Sequence, residues 1–137
     1  MSLRALPLIV IPFILYNIVV LFSGGAHADD VLRKGIFELP MGGGARWRFS
    51  MGDLLILVTM FMLFFELIKA TYTSSASLLD HGLSMLVFIA CLVEFLLVPQ
   101  AATSVFFFIM IATLIDVVAG FMIGIRTARR DLNIGDH

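Results

Sequence analysis

The chain has 137 residues, of which 61% are hydrophobic and only 14% are charged, and its mean hydropathy is +1.06. A soluble domain is about half apolar and about a quarter charged, so this composition excludes an ordinary soluble domain and is typical of an integral membrane protein. The formal net charge of −1 excludes a strongly basic nucleic-acid-binding surface, and the single cysteine excludes an intrachain disulfide.

Four apolar segments organise the chain, which predicts an all-α membrane protein with one integral membrane domain over residues 1–137. The four transmembrane helices are expected at about residues 5–22, 54–72, 78–98 and 104–125, with an outer loop at 23–52. A spanning helix needs about 17–25 residues, and the short third segment reaches that length if "SSASLLDHG" extends it backwards. Because the apolar runs do not alternate with polar residues, they predict helices and not a barrel.

The first apolar segment resembles a signal peptide, since Ala26-His27-Ala28 has the spacing of a cleavage site. We interpret it as a retained first membrane helix. Pro12 lies inside the expected helix and predicts a kink, because proline removes a backbone hydrogen bond one turn earlier.

The outer loop predicts a hairpin. "GIFELP" and "ARWRFS" flank the glycine-rich turn "MGGG", and Arg46, Arg48 and Ser50 alternate with Trp47 and Phe49 as in a half-buried strand. We expect this hairpin to lie on the helix bundle, with its aromatic rings at the membrane interface. The alternative is a loop that gates or recognises a ligand, with Arg46, Trp47 and Arg48 as its interface residues.

Charged residues inside the apolar segments are the candidate site. With a rise of 1.5 Å per residue, Glu66 and Asp116 lie about 18 Å from the outer face and Lys69 about 22 Å, whereas Glu94 lies only about 7 Å deep. Lys69 can therefore meet Glu66 on its own helix and Asp116 on another, and Glu94 stands alone near the arginines of the loop. Such a cluster is either a proton or cation site or a polar clasp that fixes helix packing.

Small residues and a histidine flank this cluster. Gly120-x-x-x-Gly124 follows Asp116 by one turn and predicts close helix packing, with Asp116 near a subunit interface or a central axis. His81 is expected at a solvated helix end, with a pH-sensitive or metal-binding role as the alternative. The three histidines are far apart, and the sequence lacks CxxC and HExxH motifs, so we predict no metal and no cofactor.

Residues 47–121, with "GDLLILVTMFMLFFELIKATYT", "LDHGLSMLVFIACLVEFLLV" and "DVVAGF", resemble a group of small uncharacterised four-helix inner-membrane proteins of proteobacteria. The resemblance implies a multi-pass topology in the bacterial inner membrane and no particular activity. The basic stretch "RTARR" at the end of the fourth helix favours a cytoplasmic location for both termini.

Two functions are compatible with this sequence. The first is a homo-oligomeric channel or proton- or cation-linked carrier that uses the acidic residues. The alternative is an accessory or assembly subunit of a larger membrane complex, in which the charges are structural. An enzyme is not predicted, because the sequence shows no nucleophile and base arrangement. The expected partners are membrane lipid and further copies of the chain, and not nucleic acid.

Overall fold

The computed structural model describes residues 6–23, 27–71 and 75–135. Five α-helices and two strands follow in the order α1 (Val10–Leu21), α2 (Ala28–Leu32), β1 (Gly35–Pro40), β2 (Arg46–Ser50), α3 (Met51–Lys69), α4 (Ser75–Leu97) and α5 (Ser104–Gly135). A 3-10 turn at Pro99–Ala101 joins α4 to α5. The described chain is mostly helical, as the apolar segments predict.

Three helices are long and apolar enough to cross a membrane, at Met51–Lys69, Leu79–Leu97 and Ser104–Arg126. Their outward faces carry many large apolar side chains that are exposed, including Met60, Leu86, Leu97 and Phe108. A soluble monomer rarely exposes contiguous apolar faces of this kind. The surface therefore fits a chain whose helices are surrounded by lipid.

The first apolar segment differs from the prediction. Its helix begins only at Val10, has 12 residues and is about 18 Å long, which is short of the ~30 Å of a bilayer core. The described residues therefore contain three helices of spanning length, and not the four that we predicted. Pro12 lies in the first turn of α1, where its missing N–H removes no internal hydrogen bond, so the kink expected there has no cause.

Residues 6–21 nevertheless follow the bundle along most of its length. The carbonyl oxygen of Leu6 accepts a hydrogen bond from Lys69 at the end of α3. Farther along, the Tyr16 hydroxyl donates to the carbonyl of Gln100 at 2.7 Å and lies 2.7 Å from the Thr103 hydroxyl. We call the end with Thr103 and the strands the hairpin end, and the end with Lys69 the distal end.

The apolar core fills the half of the bundle nearest the hairpin end. Tyr16, Leu55, Cys91, Phe106 and Ile109 are buried there in one cluster, and the rings of Tyr16 and Phe106 meet edge to face at 4.9 Å between centroids. The buried polar side chains lie mainly in the other half. The two halves therefore differ in chemistry along a single bundle.

Tyr16→Phe should lower the free energy of unfolding by about 1 kcal/mol, because a buried hydroxyl that joins α1 to the turn before α5 is lost. A denaturant titration in detergent micelles measures this. Thr103→Ser, which keeps a hydroxyl at the same position, should have a smaller effect. An unchanged unfolding midpoint for Tyr16→Phe would show that the hydroxyl adds no stability.

The strands form the expected hairpin. β1 and β2 pair antiparallel, with Phe37 opposite Phe49 and Leu39 opposite Trp47. Gly44 has φ of +89° in the connecting turn, a conformation that glycine adopts without strain. Ser50 caps α3 by accepting from the Asp53 N–H at 3.2 Å, while the Asp53 carboxylate accepts from the Ser50 N–H at 3.0 Å.

Most strand side chains are exposed, so the prediction that the hairpin lies on the bundle is wrong. The location of its aromatic rings at the membrane interface stays a prediction. The rings of Phe37, Trp47 and Phe49 pack against one another with centroids 4.9–5.8 Å apart, and Trp47 is 43% exposed. Strand pairing places these rings on one face of the hairpin, so they bury one another and not a helix surface. The loop arginines are engaged locally, since Arg46 pairs with Glu38 at 3.2 Å and Arg48 donates to the Arg33 carbonyl at 2.8 Å.

Candidate functional site

The distal half of the bundle contains a cluster of buried polar side chains from α3, α4 and α5. Its members are at most 5% exposed and comprise Glu66, Asp80, His81, Ser84, Thr113 and Asp116. Ionisable groups are costly to bury unless they are paired or hydrogen-bonded. The partners of each group therefore decide what the cluster can do.

Lys69 compensates two of the acids. Its ammonium lies 3.0 Å from the Glu66 carboxylate and 3.3 Å from the Asp80 carboxylate, and it also donates to the Leu6 carbonyl at 2.8 Å. Glu66 accepts a further hydrogen bond from the Leu8 backbone N–H. We call Glu66, Lys69 and Asp80 the lysine network, and it joins the segment before α1 to α3 and α4.

The predicted pair between Lys69 and Asp116 is wrong. Lys69 bonds Asp80 in its place, because its side chain extends towards the distal end, where it remains 23% exposed. An ammonium keeps part of its hydration in that position, whereas a turn towards Asp116 would bury it. Asp116 lies close enough to Glu66 and Lys69 for their charges to interact, without a direct bond.

Asp116 has no hydrogen-bond partner for either carboxylate oxygen among the described residues. The buried Ser84 hydroxyl lies beside it, close enough to interact with the carboxylate, although the two do not meet in full hydrogen-bonding geometry. Asp116 is 1% exposed inside one chain. It is therefore buried within one bundle, and its position near a subunit interface or a central axis stays a prediction.

His81 is buried between α4 and α5, so the expectation of a solvated helix end is wrong. An alanine Cβ at Gly120 would lie only 2.8 Å from the His81 ring, and one at Gly124 would lie 3.2 Å from it. The ring also packs against Phe121 at 5.0 Å between centroids. Gly120 and Gly124 thus make room for an imidazole, in place of the helix backbone contact that a GxxxG pattern usually provides.

The imidazole and the carboxylate border the same small space. The Cβ position of Gly120 is 3.0 Å from Nδ1 of His81 and 3.7 Å from Oδ1 of Asp116. Both ring nitrogens of His81 are buried without a partner in the described chain. We call Asp116, His81 and Ser84 the aspartate–histidine site. A carboxyl, an imidazole and a hydroxyl together can accept, donate and pass on a proton.

Glu94 belongs to neither group. It lies near the hairpin end, where its carboxylate accepts a hydrogen bond from the Asn17 amide at 3.2 Å. The prediction that Arg46 or Arg48 approaches Glu94 is wrong, because both arginines bond within the loop and hairpin. The four charged residues singled out from the sequence are therefore divided between two ends of the bundle.

The sequence did not predict that Asp80 and Ser84 belong to the cluster, or that His81 is buried in it. Asp80 and Ser84 are four residues apart and share one helix face, on which Cys91 also lies. Extending that stripe one turn backwards from Ser84 would have found Asp80. The apolar run alone could not, since both residues precede the strongly hydrophobic part of α4.

Comparison of this chain with protein-family models, with curated proteins and with solved structures found no match. The interpretation of the site therefore depends on its own geometry.

Proposed function

We propose that this chain is a membrane-spanning protein that binds a proton or a small cation at the aspartate–histidine site and takes part in proton- or cation-linked transport. The observation that carries the proposal is a set of five buried side-chain atoms that have no partner in full hydrogen-bonding geometry among the described residues: both oxygens of Asp116, both ring nitrogens of His81 and the Ser84 hydroxyl oxygen. A buried, ionised and unbonded carboxylate is unstable by several kcal/mol. The site is therefore stable only when Asp116 carries a proton or faces a cation or ordered water.

Access from solvent is the second support. The lysine network begins at Lys69, which is partly exposed at the distal end, and its acids lie close enough to Asp116 for their charges to interact. In the proposed function, protons would pass between these acids and Asp116 through hydrogen-bonded water. The cluster thus extends from the distal surface to the buried carboxylate.

The proposed arrangement is a homo-oligomer in a bacterial inner membrane, with both termini on the cytoplasmic side. The apolar core fills the interior of one bundle at the hairpin end, so the path from the aspartate–histidine site to that end would run along the contact between copies. In this arrangement residues 6–21 make the fourth crossing together with the local bilayer thinning that a short segment requires. The arginines after the spanning part of α5 favour a cytoplasmic distal end.

Asp116→Asn should reduce the proton flux by about tenfold or more, because asparagine keeps the shape of the side chain and cannot carry the exchangeable proton. The measurement uses purified protein in liposomes with a trapped pH-sensitive dye, under an imposed potential, with Na⁺ and K⁺ tested separately. Glu38→Gln changes an exposed acid in the hairpin and is the matched control. It should leave the flux unchanged.

Two results would contradict the transport proposal. One is wild-type liposomes that pass no more protons, Na⁺ or K⁺ than empty liposomes. The other is a folded Asp116→Asn protein with the flux of the wild type.

The alternative is an accessory or assembly subunit, and the lysine network favours it. This network ties three chain segments together through one lysine that bonds both acids, as a structural clasp does. Native mass after mild detergent extraction separates the two functions. Multiples of this chain support the homo-oligomer, whereas a stoichiometric complex with other proteins supports the accessory subunit.

A further inference from the structure

A groove of about 670 Å³ lies between α1 and α4, nearer the hairpin end than the aspartate–histidine site. Its walls are apolar side chains from both helices, among them Phe13, Ile18, Val93 and Val98, and its polar lining residues are Asn17 and Glu94. Ligand pockets are commonly about 300–1,000 Å³, mainly apolar, with few polar groups that orient the ligand. The groove has this composition.

Glu94 supplies an acid without a cation. Its carboxylate accepts from the Asn17 amide at 3.2 Å, and Asn17 is itself held by a second hydrogen bond to the Phe13 carbonyl at 2.9 Å. Within the described ranges, no lysine or arginine lies within 4 Å of this carboxylate. The amide bonds one carboxylate oxygen, and the other has no hydrogen bond within the part of the chain that the structure describes.

The groove opens sideways onto the apolar surface of the bundle. Ile18 and Val93, at its rim, are 48% and 49% exposed, and Leu97 beyond them is 75% exposed. A ligand that enters from this side arrives from the lipid. It must therefore be soluble in hydrocarbon over most of its length and positively charged where it meets Glu94.

We propose that this groove binds a cationic amphiphile, an ammonium group attached to an apolar chain, with Glu94 as its counter-ion and Asn17 as the group that positions the carboxylate. The ammonium donates to Glu94 while the apolar chain covers Phe13, Ile18 and Val93. The same chemistry is offered by a lipid with an amine headgroup and by a free lipophilic amine. This binding does not depend on the transport proposal, because the two sites share no residue.

The test measures equilibrium binding of radiolabelled dodecylamine and of neutral dodecanol to the full chain in phosphatidylcholine nanodiscs. Wild-type protein should bind the amine about tenfold more tightly than the alcohol. Glu94→Gln should abolish this preference, while Glu38→Gln, the same change in the hairpin, should keep it. Equal binding of amine and alcohol by the wild type would overturn the proposal, and so would an unchanged preference in Glu94→Gln.

A second variant tests the groove independently, in case Glu94→Gln misfolds. Val93→Trp fills the groove and leaves the carboxylate in place, so it should reduce the binding of both probes. Amine binding by a folded Val93→Trp protein at the wild-type level would also overturn the proposal. Size-exclusion profiles and unfolding midpoints establish that each variant is folded.

Nanodiscs that contain phosphatidylethanolamine distinguish the two sources. If the lipid amine is the ligand, this lipid should compete with dodecylamine for the wild type and have no effect on Glu94→Gln. If a free amine is the ligand, dodecylamine binding should be the same in both lipids. Loss of flux in the liposome assay leaves these measurements unaffected, so the two proposals can fail separately.

Discussion

Replacing Lys69 with methionine should destabilise the protein by about 3–5 kcal/mol, because the carboxylates of Glu66 and Asp80 would remain buried without their cation. Methionine keeps the length and the apolar stem of lysine, so the loss reports the charge and its hydrogen bonds. The segment before α1 should loosen at the same time, since Lys69 also bonds the Leu6 carbonyl. Unfolding in detergent by a denaturant titration measures the first effect, and hydrogen exchange of residues 6–9 measures the second.

Double variants identify the partner of Lys69. Adding Asp80→Asn to Lys69→Met should recover a large part of the loss, because the uncompensated charge is removed together with its partner. Adding Asp116→Asn should recover less, since Asp116 makes no direct bond to Lys69. Simple additivity of Lys69→Met and Asp80→Asn would show that the 3.3 Å contact in the structure contributes no coupling.

Gly120→Leu should destabilise the protein by about 1–3 kcal/mol through overpacking. Even the first carbon of the new side chain would lie 2.8 Å from the His81 ring, which is buried and held against Phe121. Gly124→Leu should also destabilise the protein. Its first side-chain carbon would clash less with the ring, because that carbon would lie 3.2 Å away. Unfolding midpoints in micelles and the amount of folded protein in membranes measure both variants.

Two matched variants show whether contact with the His81 ring causes the loss of stability in Gly120→Leu. Gly82→Leu makes the same change on α4, where an added Cβ would meet no neighbouring group within 4 Å. It should therefore not destabilise the bundle. His81→Ala removes the ring, and combining it with Gly120→Leu should recover part of the lost stability. If Gly120→Leu destabilises the His81→Ala protein as much as the wild type, the ring does not occupy the space beside Gly120.

The helices and the hairpin were predictable because their signals are local. Long apolar runs predict α3, α4 and α5, and the glycine-rich turn between alternating residues predicts β1 and β2. The start of α1 was not predictable from hydropathy, since residues 6–9 are as apolar as the helix that follows. Proline at positions 7 and 12 was the relevant signal, because it favours a helix that begins between the two.

The sequence predicted the depth of the charged residues along the helices, but only some of their bonding partners. Counting residues along each helix correctly separates Glu94 from Glu66 and Asp116, since the rise per residue is fixed. The choice of Asp80 over Asp116 by Lys69 depends on which way a flexible side chain turns, and a linear sequence does not contain that direction. The use of Gly120 and Gly124 by an imidazole likewise depends on the rotation of α4 about its axis.

The bond between the Leu8 N–H and Glu66 also bears on how the protein is made. Residues 6–21 leave the ribosome before α3, because the acceptor for this backbone donor lies 58 residues later in the chain. A buried N–H without an acceptor is unfavourable, so the segment before α1 reaches its full stability only after α3 has been inserted. Biogenesis should therefore pass through a state in which the first segment waits at the membrane surface or in the insertion machinery. The arrival of Glu66 and Lys69 completes its insertion.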